Sequence, residues 1–350
     1  KTDLNQRPVS LSCCCSLLYD RIIKVSDNTL QQLNLEKSIT VIGSKQEQQA
    51  LLERLIAWQS PSQGTSHSGK GLFSFAVGGS CANVARTMAA MAEKTCFASA
   101  IAADQEGLDL KNMLAELDDF HGYLTTTPGH TGSTLVLVTP DGERTMHAQL
   151  GVCSAINQKV FQQMTPDLGE SAIFHFCGYQ WDAASQQQMI QFALVKSQES
   201  GLLISFDLAD PGVVQRHHHD FLELLHEVHL VFANELEILE LFGDDFERIL
   251  HQNWSHKLFV IKRGAKDLIL CYRGDTLLVP AKKDVAIIDT TGAGDVLAGG
   301  FLAGLMKGLD IQKSTEVGVC LASDVITRLG CVLSEQAIKQ AYEMTVKMTS

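Results

Sequence analysis

The chain has 350 residues, enough for one large α/β domain or two smaller ones. Its 45% apolar and 19% charged content is that of a soluble globular protein able to bury a sizeable core. A net charge of −12 argues against a general nucleic-acid or membrane surface, but leaves room for a nucleotide site, which needs only local donors.

In chain order, Val9 to Leu18 reads as a buried strand ending at Asp20. Lys1 to Leu18 shows no small-residue cleavage pattern, so the start is read as leading into this strand and not as a signal peptide. Arg21 to Val25 is extended, and Asp27-Asn28-Thr29 caps a short helix through Leu33. Ser38 to Ile42 is a strand candidate. Gln46 to Trp58 carries apolar residues at helical spacing. Ser60 to Lys70 is linker-like, and Gly64 to Lys70 has the phosphate-loop spacing. Gly71 stands where a Ser or Thr should hold magnesium, however, and the context is not strand-to-helix, so a flexible loop is the reading. Leu72 to Val77 is a strand running into Gly78-Gly79, and Asn83 to Met91 a small-residue helix. Strand Thr95 to Ala102 and helix Leu108 to Leu117 follow. Thr131 to Val138 and Arg144 to Leu150 form a hairpin turning at Asp141-Gly142.

Farther on, strand candidates Ala172–Phe176, Leu202–Asp207, Leu230–Ala233, Leu258–Ile261 and Leu268–Tyr272 alternate with helices. That rhythm predicts a doubly wound α/β fold, with a mostly parallel sheet covered by helices on both faces. Extended pieces near 21–43, 72–77 and 121–150 fall outside it and predict a separate small sheet. No apolar run reaches membrane-spanning length. Ten cysteines include no CxxC pair and mostly sit in apolar runs, which reads as reduced thiols in a cytoplasmic protein. Cys13-Cys14-Cys15 alternates faces if it lies on a strand, and His217-His218-His219 points in different directions on a helix. Neither is expected to hold a metal.

Asp289-Thr290-Thr291-Gly292-Ala293-Gly294-Asp295 carries the most chemistry. It follows an apolar run, Val285 to Ile288, read as a strand. It precedes Val296 to Leu309, read as a helix. A helix N-terminus offers unpartnered N–H groups and partial positive charge, and bare glycines let an anion approach them. A carboxylate beside an anion cradle makes sense if Asp295 takes a proton from the group that attacks the anion. Phosphoryl transfer needs that pair of parts.

This stretch, with Ala298-Gly299-Gly300-Phe301, closely resembles the C-terminal signature of the PfkB, or ribokinase-like, family of sugar and nucleoside kinases. The resemblance runs from about Val9 to the C-terminus (9–350). It implies a ribokinase-like fold whose small β-sheet forms a lid from segments near 21–43, 72–77 and 121–150. It makes Asp295 the catalytic base and the backbone of Gly292, Ala293 and Gly294 the anion hole. Gly78, Gly79 and Asn83 match the turn that binds acceptor hydroxyls, and Asp20 matches a sugar-binding Asp, although the usual Gly before it is missing. Asn234 and Glu237 match an N-x-x-E motif that positions magnesium and phosphate through water. Gly264 lies in the nucleotide-binding turn, where Lys262 and Asp267 replace the usual Thr and Gly. Thr291 is placed with the ATP site, and Asp289 with Thr291 matches a monovalent-cation position, such as one for K+.

The implied reaction is ATP-dependent, with Mg2+, on a primary hydroxyl of a small-molecule sugar or nucleoside. No nucleic acid or membrane partner is implied, and monomer and homodimer both stay open. Glu143-Arg144-Thr145-Met146, Gly178-Tyr179-Gln180-Trp181-Asp182 and Phe206-Asp207-Leu208-Ala209-Asp210-Pro211 look more like bacterial adenosine-kinase-like members, which favours a nucleoside. A ribokinase- or fructokinase-like sugar kinase is the alternative. A catalytically silent regulatory member is more remote, and a dinucleotide oxidoreductase lacks its G-x-G-x-x-G after the first strand.

Overall fold

The computed structural model describes residues 7–59 and 72–349, so the Gly64–Lys70 loop lies outside the described residues. The first half supplies β1 (Val9–Cys14), β2 (Leu18–Lys24), β3 (Thr40–Ile42), β4 (Ser74–Gly78), β5 (Thr95–Ile101), β6 (Phe120–Thr126), β7 (Ser133–Val138) and β8 (Arg144–Gln149). The second half supplies β9 (Ser171–Cys177), β10 (Leu203–Asp207), β11 (Leu230–Asn234), β12 (Leu258–Lys262), β13 (Leu268–Tyr272) and β14 (Asp275–Val279). The larger sheet runs β14-β13-β12-β11-β10-β9-β1-β5-β6, and the smaller β3-β8-β7-β2-β4. From β12 across to β6 all neighbours are parallel; β13 and β14 join antiparallel at one edge.

Helices cover both faces of the larger sheet, and strand periodicity sorts side chains between them. Leu11, Cys13, Phe97 and Phe232 face one core with Phe301, whereas Cys14, Phe174, Phe176 and Phe206 face the other with Phe161. The cysteine run alternates as expected, and all ten cysteines are free thiols. Among the described residues no group of His, Cys, Asp or Glu is placed to hold a metal. His217 instead meets Asp182 at 3.0 Å, and His218 meets the Leu241 carbonyl at 3.1 Å. Among the described residues no helix is long and apolar enough to cross a membrane.

Three expectations need correction. The Val9–Leu18 strand is two strands in two sheets, broken at Cys15–Leu17. The Ser99 hydroxyl holds the break, donating to the Cys15 carbonyl at 2.7 Å and accepting from the Leu17 N–H at 3.0 Å. Phe120–Thr126 pairs with β5, so that part of the 121–150 segment belongs to the larger sheet. Val285–Ile288 is not a strand, because β14 and β13 already occupy that sheet edge. Its last residues bond to a helix end instead, the Ile288 N–H to the Ile326 carbonyl at 2.8 Å.

The Ala293–Met306 helix lies on the larger sheet, with Phe301 edge-on to Phe232 at 5.5 Å. Burying such a ring contributes roughly 2 kcal/mol. Glycines let neighbouring helices approach it closely. A Cβ on Gly299 would come within 2.6 Å of the Thr87 Cβ, on the Ser80–Ala90 helix. One on Gly300 would come within 2.8 Å of the Gly318 Cα, on the Ile311–Val325 helix.

Candidate active site

The carboxyl ends of β1, β9, β10, β11 and β12 open into a cleft of about 880 Å³, bounded by Cys15, Cys177, Asp207, Asn234 and Lys262. Ligands of open α/β sheets bind at such strand ends. The smaller sheet forms the opposite wall with Leu18, Asp20, Thr134, Arg144 and Met146.

Asp295 stands in the first turn of the Ala293–Met306 helix, behind Gly292, whose φ of +73° caps that helix. A Cβ on Gly292 would lie 2.6 Å from the Cys331 sulfur, so only glycine fits. Asp295 Oδ1 accepts from the Ser80 hydroxyl at 2.8 Å, and Oδ2 accepts from Asn83 Nδ2 at 2.9 Å. Ser80 and Asn83 are three apart on one helix, so they share a face. Arg86 donates to Asn83 Oδ1 at 3.2 Å, which turns the amide donor toward Asp295. Burial raises the Asp295 pKa to about 6 and nearby Asp207 adds to the rise, while Asn83, Ser80 and Lys262 oppose it. A general base is effective when its pKa lies near the working pH.

Among the described residues no acceptor meets the N–H groups of Gly292, Gly294 or Asp295. The Ala293 N–H, expected in the same cradle, is bonded to the Thr290 carbonyl at 3.2 Å. The Lys262 amine lies 3.0 Å from where a Gly294 Cβ would sit, so positive charge overhangs the bare loop. Lys262 also donates to Asp207 Oδ2 at 2.8 Å. Burial works against its charge, but Asp207 and Glu237 hold its pKa above the ordinary value. Sequence reading met Lys262 as a departure from the nucleotide-turn motif, and missed Asp207 and Ser80 as site residues. The i,i+3 spacing of Ser80 to Asn83 was the signal for the latter.

Asn234 and Glu237 form a reciprocal cap. The Asn234 N–H donates to Glu237 Oε2 at 2.7 Å, and the Glu237 N–H donates to Asn234 Oδ1 at 2.8 Å. Burial pushes the Glu237 pKa to about 7; Lys262 opposes this and Asp207 adds to it. Two buried carboxyls thus share one amine, a region short of positive charge. Gly264 lies at the cleft with φ +60°. Arg263 turns to Glu235 at 3.1 Å.

On the smaller sheet, Asp20 is buried within β2. Gly78 makes its space: a Cβ there would fall 2.1 Å from Asp20 Oδ1. Gly79, at φ +105°, would strike the Ser16 carbonyl. Burial raises the Asp20 pKa to about 7, against a Thr134 hydrogen bond and Arg86. Asp289 is buried and braced by the protein itself. Its Oδ1 accepts from the Thr291 N–H at 2.8 Å and the Thr291 hydroxyl at 2.6 Å, and Oδ2 from the Gly330 N–H at 2.8 Å. Most of its lone pairs are taken, so the expected monovalent-cation position fits these residues poorly.

Comparison with known proteins agrees with this fold. A solved adenosine kinase from Sinorhizobium meliloti is 24% identical and superposes with a TM-score of 0.84, covering 96% of this chain and 99% of that one. A probable sugar kinase from Rhizobium etli is 24% identical, with a TM-score of 0.85 over 97% and 99%. A cytidine kinase from Thermococcus kodakarensis is 40% identical over 114 residues, spanning 31% of this chain and 40% of that kinase's length. The family model described as pfkB family carbohydrate kinase matches residues 37–338. The chain therefore belongs to the pfkB family of carbohydrate kinases, phosphotransferases acting on sugar or nucleoside hydroxyls.

Proposed function

We propose that this protein transfers the γ-phosphoryl group of ATP to a primary hydroxyl of a nucleoside. The observation that carries the reading is Asp295 between Ser80 and Asn83, beside the unbonded N–H groups of Gly292 and Gly294. Asp295 takes the proton of the incoming hydroxyl as that oxygen attacks in line. The N–H groups of Gly292 and Gly294, with the Lys262 amine above them, receive the charge that develops on the transferred group. Asp20, Asn83 and the Gly78-Gly79 turn hold the acceptor hydroxyls, which suits a carboxylate with only lone pairs to offer. Magnesium bound with ATP shields phosphate charge. Asn234 and Glu237 would hold it through water, where the carboxyl excess favours a cation. Thr291 and Gly264 border the nucleotide end of the cleft. Docking of the smaller sheet as a lid excludes water from the transfer.

The nucleoside preference rests on the acceptor wall. Beside polar Asp20 and Thr134 it presents Leu18, Ile42, Met146 and Leu150, an apolar surface suited to a base and superfluous for a free sugar. The partial resemblance to a cytidine kinase supports the same choice. Reduced thiols fit action in the cytoplasm.

A transfer assay with ATP against adenosine, cytidine, ribose and fructose tests both levels. A nucleoside is expected to be phosphorylated best, and Asp295→Ala to lower turnover by about a thousandfold or more while ATP still binds. Better turnover of ribose or fructose would reject the nucleoside, and an active Asp295→Ala would reject the base.

A further inference from the structure

The turn of the β7–β8 hairpin, in the smaller sheet, reaches the segment that enters the anion loop. The Gly142 carbonyl accepts from the Thr290 N–H and from the Thr290 hydroxyl, both at 3.2 Å. Arg144 Nη1 donates to the Thr290 hydroxyl at 2.9 Å. A Cβ on Gly142 would lie 2.5 Å from Ile287 Cγ2, so the hairpin tip rests directly on this segment. On its other side, the Thr290 carbonyl accepts from the Ala293 N–H at 3.2 Å. One residue therefore bonds the smaller sheet with its N–H and hydroxyl, and the anion loop with its carbonyl. The Asp289 carboxylate holds the next residue, Thr291, from within the same segment, so Thr290 is the residue of this stretch that bonds both the hairpin and the loop.

We propose that Thr290 is a positioning residue that couples docking of the β7–β8 hairpin to the shape of the anion loop. The inference rests on the kinase reading and adds a route by which the smaller sheet acts on the transfer step. With the hairpin seated, the peptide at Thr290 is held from both sides, and the loop keeps the form that leaves the Gly292 and Gly294 N–H groups open. With the hairpin lifted, Thr290 loses the bonds that hold it, and the loop is set less firmly. Transfer thus becomes contingent on closure over an acceptor.

Thr290→Val keeps the shape of the side chain and removes the hydroxyl, while Thr290→Ser restores it. Gly142→Ala places a methyl against Ile287 at a residue whose φ is +81°, and so props the tip away. Each purified variant is assayed for phosphoryl transfer to the best nucleoside, for ATP hydrolysis without acceptor, and for amide exchange. Thr290→Val removes both the hydroxyl's bond to the Gly142 carbonyl and the one it accepts from Arg144, and is expected to lower kcat roughly tenfold or more, with KM for ATP unchanged. It is also expected to raise the share of ATP lost to water. Thr290→Ser is expected to return to wild-type values. Gly142→Ala is expected to speed exchange at Ala293 and Val296, whose N–H groups bond to the Thr290 and Gly292 carbonyls, as well as in the hairpin.

Wild-type kcat and hydrolysis share in Thr290→Val, or faster exchange confined to the hairpin in Gly142→Ala, would overturn the coupling. A wild-type protein that phosphorylates no acceptor would instead reject the kinase reading beneath it.

Discussion

Ser80 governs how tightly Asp295 holds a proton. Its hydroxyl and the Asn83 amide are the two donors that pull the Asp295 pKa down against burial, leaving it at about 6. A base must be ionised to act, so kcat/KM is expected to fall as pH drops through about 6. Removing one donor raises that pKa. In Ser80→Ala the acid limb should therefore move to higher pH, with kcat lowered about tenfold near neutrality. A pH–rate profile checks this; a limb that stays put or moves to lower pH contradicts it. Asp295 and the glycines before it were legible because their spacing is local. Asp207 and Ser80 were not, since each owes its place to a partner 55 or 215 residues away. Gly78 was read as an acceptor contact from its motif, yet the space it leaves for Asp20 is visible only in three dimensions.

The Ala293–Met306 helix brings this chemistry together because it can lie close to its neighbours. Gly299 abuts Thr87 and the Val84 carbonyl on the helix that carries Ser80 and Asn83. Gly299→Ala would force these two helices apart by more than a side-chain adjustment, since backbone lies in the way. Overpacking of this kind costs about 1–3 kcal/mol. A lower Tm together with a lower kcat is expected, because the same shift draws Asp295 from its donors. An unchanged Tm would show that the helices yield without strain. At this scale the second-half strands were legible, since buried parallel strands are continuous apolar runs. Val285–Ile288 has the same look, and only the occupancy of the sheet edge by β13 and β14 keeps it out. Phe120–Thr126 was misplaced for the converse reason: it is the sheet's edge strand, largely uncovered, and lacks a buried pattern.

Across the whole molecule, three carboxyls are buried around one cleft, with pKa values raised to about 6 for Asp295 and about 7 for Asp20 and Glu237. A raised folded-state pKa adds stability that is full below the unfolded value near 4 and is lost as pH climbs through the folded one. These three carboxyls are thus expected to cost stability as pH rises from about 4 to about 7, whereas buried His175, whose pKa is pushed down to about 4, works in the opposite sense. Asp20→Asn removes one such group, so its Tm should exceed wild type at pH 8, and the gap should narrow toward pH 4. Thermal melts across that range decide the matter; a gap that widens toward acid refutes it. The general architecture was legible from the alternation of strands and helices. The join between the two sheets was not, because Cys15-Ser16-Leu17 carries neither Gly nor Pro to mark a change of direction. That short join has a larger effect than its length suggests. It puts Asp20 on one body and Asp295 on the other, so under the proposed function the two acids would work as the jaws of a calliper. A molecule that satisfies one jaw but is too short to reach the other can lodge without reacting. Discrimination among look-alikes should therefore appear in turnover more than in occupancy.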